Sequence, residues 1–184
     1  MPGAGLIAWG TNMKKLLLGL VAALLLAGAT TLGASLVGAQ GQRRIDVFST
    51  RMASHSERPP VDSKAAGRAI VVLDRESREI DFVMWVRRID HITESHIHVA
   101  SADRNGPIVA TLFDFDGIHG NPGTATEGTE GELAVSGVIT EADLMGITFD
   151  DLVAAMDAGR TYVNVHTLEF RAGETRGQLS LSDL

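Results

Sequence analysis

Residues 67–87 read GRAIVVLDRESREIDFVMWVR, and their pattern decides the fold class. The run 67–73 is apolar and rich in β-branched side chains, and Asp74-Arg75-Glu76-Ser77 is a polar turn. In 79–87, Ile80, Phe82, Met84 and Val86 fall on one face of an extended chain, with Asp81 and Arg87 on the other. Strand-like runs on both sides of a short polar turn predict a β-hairpin. Trp85 shares the face of Asp81, so it is expected to be half exposed and is a candidate contact residue.

The rest of the chain repeats this rhythm. Further strands are expected at 45–52, 94–100, 108–113, 132–139, 161–167 and 175–181. Pro59-Pro60 makes 54–64 a loop, since proline cannot serve a ladder, and Asn105-Gly106-Pro107 is a strong turn signal. The Gly-rich, acidic stretch 114–131 is expected to be a long exposed loop. Helical signals are confined to one region. Thr140 with Asp143, and Thr148 with Asp151, can each cap a turn, and Leu152, Ala155 and Met156 form one apolar stripe ahead of Gly159. The expectation is an all-β, antiparallel Greek-key-like β-sandwich of about seven or eight strands, with one or two short helices near residues 140–159.

The N-terminus reads as a targeting segment. Lys14 and Lys15 follow Met13, residues 16–26 are apolar and uncharged, and Val37-Gly38-Ala39 puts small residues at −3 and −1 of a cleavage site before Gln40. The apolar run is short for a membrane span of roughly 20 residues. This divides the chain into a signal peptide, 1–39, and one domain, 40–184. It places the mature protein as secreted, periplasmic or on the cell surface, off the membrane once cleaved.

The formal net charge is −7, and loss of Lys14 and Lys15 makes it more negative by two. An acidic exported domain is a poor partner for nucleic acid and for an anionic membrane surface. There is no cysteine, so the domain needs a full hydrophobic core, and thiol nucleophiles and thiolate zinc sites are excluded. No G-x-S-x-G elbow and no phosphate-binding glycine loop is present. No catalytic residue is assigned.

Side-chain parity sorts the chemistry. His96 and His98 oppose Ile97 and Val99; Tyr162, Asn164 and His166 oppose Val163 and Val165; and Glu174, Arg176 and Gln178 oppose Leu179 and Leu181. If these three strands are neighbours, their polar faces form one patch. Glu174 and Arg176, two apart on one face, are expected to form a structural ion pair. His91 and His119 lie in a turn and a loop. Asp114, Asp116 and Asn121 fit no EF-hand spacing and read as solvated groups.

The sequence also resembles the CHRD (chordin-type) domain family. The matching pieces are Glu57-Arg58-Pro59-Pro60-Val61, Ser95-His96-Ile97-His98, Asn105-Gly106-Pro107-Ile108-Val109, Tyr162-Val163-Asn164-Val165-His166-Thr167 and Gly173-Glu174-Thr175-Arg176-Gly177-Gln178-Leu179, where Thr175 replaces the usual aliphatic residue. The resemblance implies an extracellular β-sandwich. In chordin such domains belong to an antagonist of bone morphogenetic proteins, and many bacterial relatives are exported proteins with no assigned activity.

Two functions follow. The favoured one is a non-enzymatic extracellular binding or structural module with a protein or matrix partner, in which the histidines serve a hydrogen-bonded network fixing strand register. The alternative is a mononuclear copper or zinc protein using His96, His98 and His166, in copper handling or a redox role. Its arrangement is similar to that of Cu/Zn superoxide dismutase, which also sets a His-x-His strand and a later strand histidine on the outside of a β-barrel.

Overall fold

The computed structural model describes residues 44–117, 123–125 and 131–182, with the backbone alone for 123–125. The expected signal peptide, residues 1–39, lies outside the described residues, as do His119 and Asn121.

The strands are β1 (Ile45–Ala53), β2 (Ala66–Asp74), β3 (Glu79–Ile89), β4 (Ile92–Val99), β5 (Ile108–Asp114), β6 (Gly123–Ala125), β7 (Gly131–Ile139), β8 (Thr161–Thr167), β9 (Thr175–Gln178) and β10 (Ser180–Leu181). All pairings are antiparallel, in the order β5-β4-β8-β9-β1-β2-β3-β7-β6, with β10 beside β1. The jumps from β4 to β8 and from β3 to β7 are Greek-key-like crossovers. The sheet curls until its ends approach, and a bond from Met145 N to Val109 O ties the segment after β7 to β5. The all-β, sandwich-like architecture is thus the one the alternation predicts.

All eight expected strands are present. Two more arise where the pattern is weakest. β6 is a three-residue strand inside 114–131, set on β7. The last expected strand breaks at Leu179, whose N–H turns to Thr161 O, so that β10 leaves β9 and pairs with β1. Parity therefore fails after the break: Leu179 is buried, but Leu181, expected on the core face, is exposed. Asp114 is also not the exposed loop residue expected. It ends β5 opposite Glu94, is buried, and accepts a bond from Asp116 N at 3.2 Å.

The hairpin of β2 and β3 runs in continuous register from Ala66↔Arg87 to Asp74↔Glu79. Ile80, Phe82, Met84 and Val86 are all buried, and Trp85 is half-buried on the other face. Asp74 Oδ1 accepts from Glu76 N and Ser77 N, which fixes the turn. The two short helical pieces also form. Residues Glu141–Asp143 make a 3-10 turn capped reciprocally by Thr140 and Asp143. The helix α1 (Phe149–Asp157) starts at Thr148, whose hydroxyl accepts from Asp151 N, and buries Phe149, Leu152, Val153, Ala155 and Met156. The core gathers these with the inward rows of β1–β5 and β7–β8.

Gly177 sets how closely β9 can approach β1. A Cβ there would collide with Thr50 Oγ1 and lie 2.6 Å from the backbone oxygen of Arg51. Backbone cannot step aside as a side-chain tip can. Gly177→Ala is expected to cost about 1–3 kcal/mol of unfolding free energy, measured by urea denaturation. An unchanged midpoint would show that β9 can shift outward freely.

Candidate functional site

β8 lies between β4 and β9, and register sets the polar residues side by side. His96 faces Asn164, His98 faces Tyr162 and Glu94 faces His166 across one seam. Tyr162 faces Gln178, and Asn164 faces Arg176, across the other. The three imidazoles meet, with ring centroids 5.0 Å (His96–His166), 5.8 Å (His96–His98) and 6.3 Å (His98–His166) apart. One nitrogen from each ring lies within 4.8 Å of the others.

This polar face is not open to water. His96, His98, Asn164, Tyr162, Glu174 and Arg176 are buried, and His166 is half-buried with its Nε2 fully enclosed. The cover comes from two loops, residues 54–65 and 100–107. Arg176, 1% exposed, directs the second. Its Nη1 donates to Asn105 Oδ1 at 2.9 Å, and its Nη2 donates to the carbonyls of Ser101 (3.1 Å) and Arg104 (3.0 Å). Asn105 in turn donates to Arg58 O at 2.7 Å, which joins the two loops. Gln178 Nε2 donates to Ala100 O and Gly159 O. Tyr162 carries the Arg176 guanidinium 3.4 Å from its ring centroid and stacks on His98 at 4.6 Å, while its hydroxyl accepts from Gly106 N.

The expected Glu174–Arg176 ion pair is replaced by separate bonds. Glu174 accepts from Ser63 Oγ at 2.6 Å and Thr167 Oγ1 at 2.8 Å, so it anchors the first loop. The acid beside Arg176 is instead Glu57, 3% exposed, whose charge interacts with the guanidinium. Glu57 Oε1 is buried without a hydrogen-bond partner, and burial pushes its pKa up to about 7, with Arg176 and the Arg58 N–H pulling it back. Gly173, at φ 123°, passes close by: a Cβ there would lie 2.6 Å from Glu57 Oε1 and 2.8 Å from Asn164 Nδ2.

Sequence reasoning missed Glu57 and Glu94 as site residues. Glu94 was within reach of parity, being two residues before His96 on the same face, and its Oε2 lies 3.5 Å from His96 Nε2. Glu57 carried only a weaker signal, an acid fixed beside Pro59-Pro60 in a loop whose path no alternation records.

The ring hydrogen bonds define the imidazole states. His166 Nδ1 lies 2.9 Å from Arg171 O, and His98 Nδ1 lies 2.9 Å from Gly106 O. A carbonyl can only accept, so both rings carry hydrogen on Nδ1. Burial pushes the pKa of both below the ordinary histidine value, so both are neutral near pH 7 with the lone pair on Nε2. His98 Nε2 is 2.9 Å from the Asn164 amide oxygen, and a neutral ring is served there when the amide turns its NH2 group inward.

A family model for the CHRD domain matches residues 48–179. The chain belongs to the CHRD family. The matched span runs from β1 to the end of β9 and contains every polar-face residue named above. No curated protein and no solved structure matches the chain. Membership in the CHRD family supports a binding or structural module in general terms.

The Glu57 shift has a definite sign. Its folded pKa, about 7, lies above the ordinary carboxyl value of 4.5. The folded state therefore holds the proton more tightly, and the stability this confers is lost as pH rises from about 4.5 through 7. Glu57→Gln is expected to remove that loss, so the variant gains on the native protein by up to about 3 kcal/mol between pH 4.5 and 8. Urea melts of both proteins across that range measure it. A difference that does not change with pH would show that Glu57 is not held neutral.

Proposed function

We propose that this CHRD domain is exported and acts outside the cytoplasm as a non-enzymatic binding or structural module. The observation that carries this reading is the use of the polar face. Arg176, Gln178, Glu174 and Tyr162 make hydrogen bonds with the chain's own loops rather than with an open cleft. Such bonding holds surface loops in one conformation, and a surface that needs no ordering on contact binds at lower entropic cost. Export is supported by the charged, apolar and small-residue segments up to Ala39.

The partner is an extracellular protein or matrix component. The half-buried Trp85, on the outer face of β3, and the exposed Leu168, just after β8, probe two separate surfaces for it.

Two measurements test the reading. N-terminal sequencing of the exported fraction is expected to begin at Gln40; a protein there that retains residues 16–26 would overturn cleavage after Ala39, and absence of the protein from that fraction would overturn export. A photo-crosslinking residue is placed at Trp85 in one protein and at Leu168 in another, both used on intact cells or matrix. One of the two is expected to give a discrete heterologous adduct that excess unlabelled domain competes away. Failure of both, with the fold intact by circular dichroism, would count against a binding role.

A further inference from the structure

We infer that His96, His98 and His166 form a binding site for one divalent metal ion of the imidazole-preferring class, zinc(II) or copper(II). This goes beyond the module reading, which would survive a metal-free chain.

Three observations support the site. The first is convergence. Three rings from two adjacent strands present one nitrogen each within 4.8 Å of the others. Ligands about 2.0–2.1 Å from one ion stand roughly 3.4 Å apart in tetrahedral geometry, so the ring nitrogens need to close by up to about 1.4 Å, a modest χ rotation. The second is the hydrogen bonding behind the rings. The Nδ1 atoms of His166 and His98 are each held by a backbone carbonyl, of Arg171 and Gly106. This is the outer-shell arrangement that fixes a ligand's tautomer and leaves Nε2 as the donor. The third is the state of His166 Nε2. It is enclosed, carries the lone pair, and has no hydrogen-bond partner. A structural network would satisfy that atom, whereas a metal ion does so directly.

The surroundings fit a cation. Glu94, half-buried and opposite His166, brings a carboxylate beside His96. In both His98 and His166 the Nδ1–H is taken up by a backbone carbonyl, which leaves Nε2 as the atom to meet a cation. His98 must exchange its contact with Asn164 for the ion, which makes Asn164 a positioning residue that competes for Nε2. Three imidazoles beside a carboxylate suit zinc or copper and are poor for magnesium or calcium.

The test uses the full chain, purified without a histidine tag and stripped with a chelator. Zinc(II) is titrated by calorimetry, and copper(II) is followed by electron paramagnetic resonance. One ion per chain is expected, with nitrogen couplings from imidazole in the copper spectrum. His166→Gln is expected to lower affinity about 100-fold or more, and Glu94→Gln about tenfold. His55→Gln, at an exposed histidine, should leave it unchanged. Metal in excess should raise the melting temperature of the native protein and not that of His166→Gln. Should His166→Gln fail to fold, Glu94→Gln and the copper spectrum of the native protein decide alone. Binding of neither metal at one per chain, affinity equal in the folded His166 and Glu94 variants, or a copper spectrum without imidazole nitrogen would each overturn the site.

Discussion

A guanidinium cannot shed its charge, so a protein that buries one must bring acceptors to it. Arg176, 1% exposed in β9, imposes that requirement on everything above the polar face. Two backbone carbonyls and the Asn105 amide converge on it, and the Tyr162 ring lies beneath. Meeting these contacts fixes the path of residues 101–105. That path brings Gly106 to the positions where its carbonyl takes the His98 Nδ1–H and its N–H reaches the Tyr162 hydroxyl. It also brings Asn105 to Arg58, so the loop after β1 is held over the same face and carries Glu57 down beside the guanidinium. Two loops that follow different strands are ordered around one buried charge.

The strands made this arrangement readable in advance. Alternation is strict wherever one face meets the core, because a one-residue slip would turn every valine outward. Val163 and Val165 in β8, and Ile97 in β4, are fully buried, and that alone sends Tyr162, Asn164, His96 and His98 to the other side. The meeting of the three imidazoles, the hairpin at 67–87 and the two capped turns before β8 are all consequences of local patterns of this kind. The neighbourhood of β4, β8 and β9 was the one step alternation left open.

What the sequence hid depends on loops and on backbone atoms. Nothing in the side chains of Ser101 or Arg104 announces that their carbonyls will receive a buried arginine, because every residue has a carbonyl. The Glu174–Arg176 pairing looked natural at a spacing of two. Yet neighbours on one strand face point in parallel, and each found better-placed partners, Glu174 in Ser63 and Thr167, Arg176 in the loop after β4. Leu181 misled for a related reason. The parity rule needs an unbroken strand, and the break at Leu179 resets it.

The polar face also separates its charges. At one end the permanently cationic Arg176 sits near Glu57; at the other, Glu94 borders His96. Tyr162 lies between, with Arg176 over its ring and His98 stacked on it. Burial holds the His98 pKa down against its hydrogen bonds to Gly106 and Asn164, with smaller contributions from His166 and then from the positive charge of Arg176. A buried cation placed one ring away thus helps keep that imidazole neutral, and a neutral imidazole with its Nδ1 hydrogen tied to a carbonyl has its lone pair on Nε2. The residue that orders the loops is thereby also a minor contributor to the electrostatics of the site they cover.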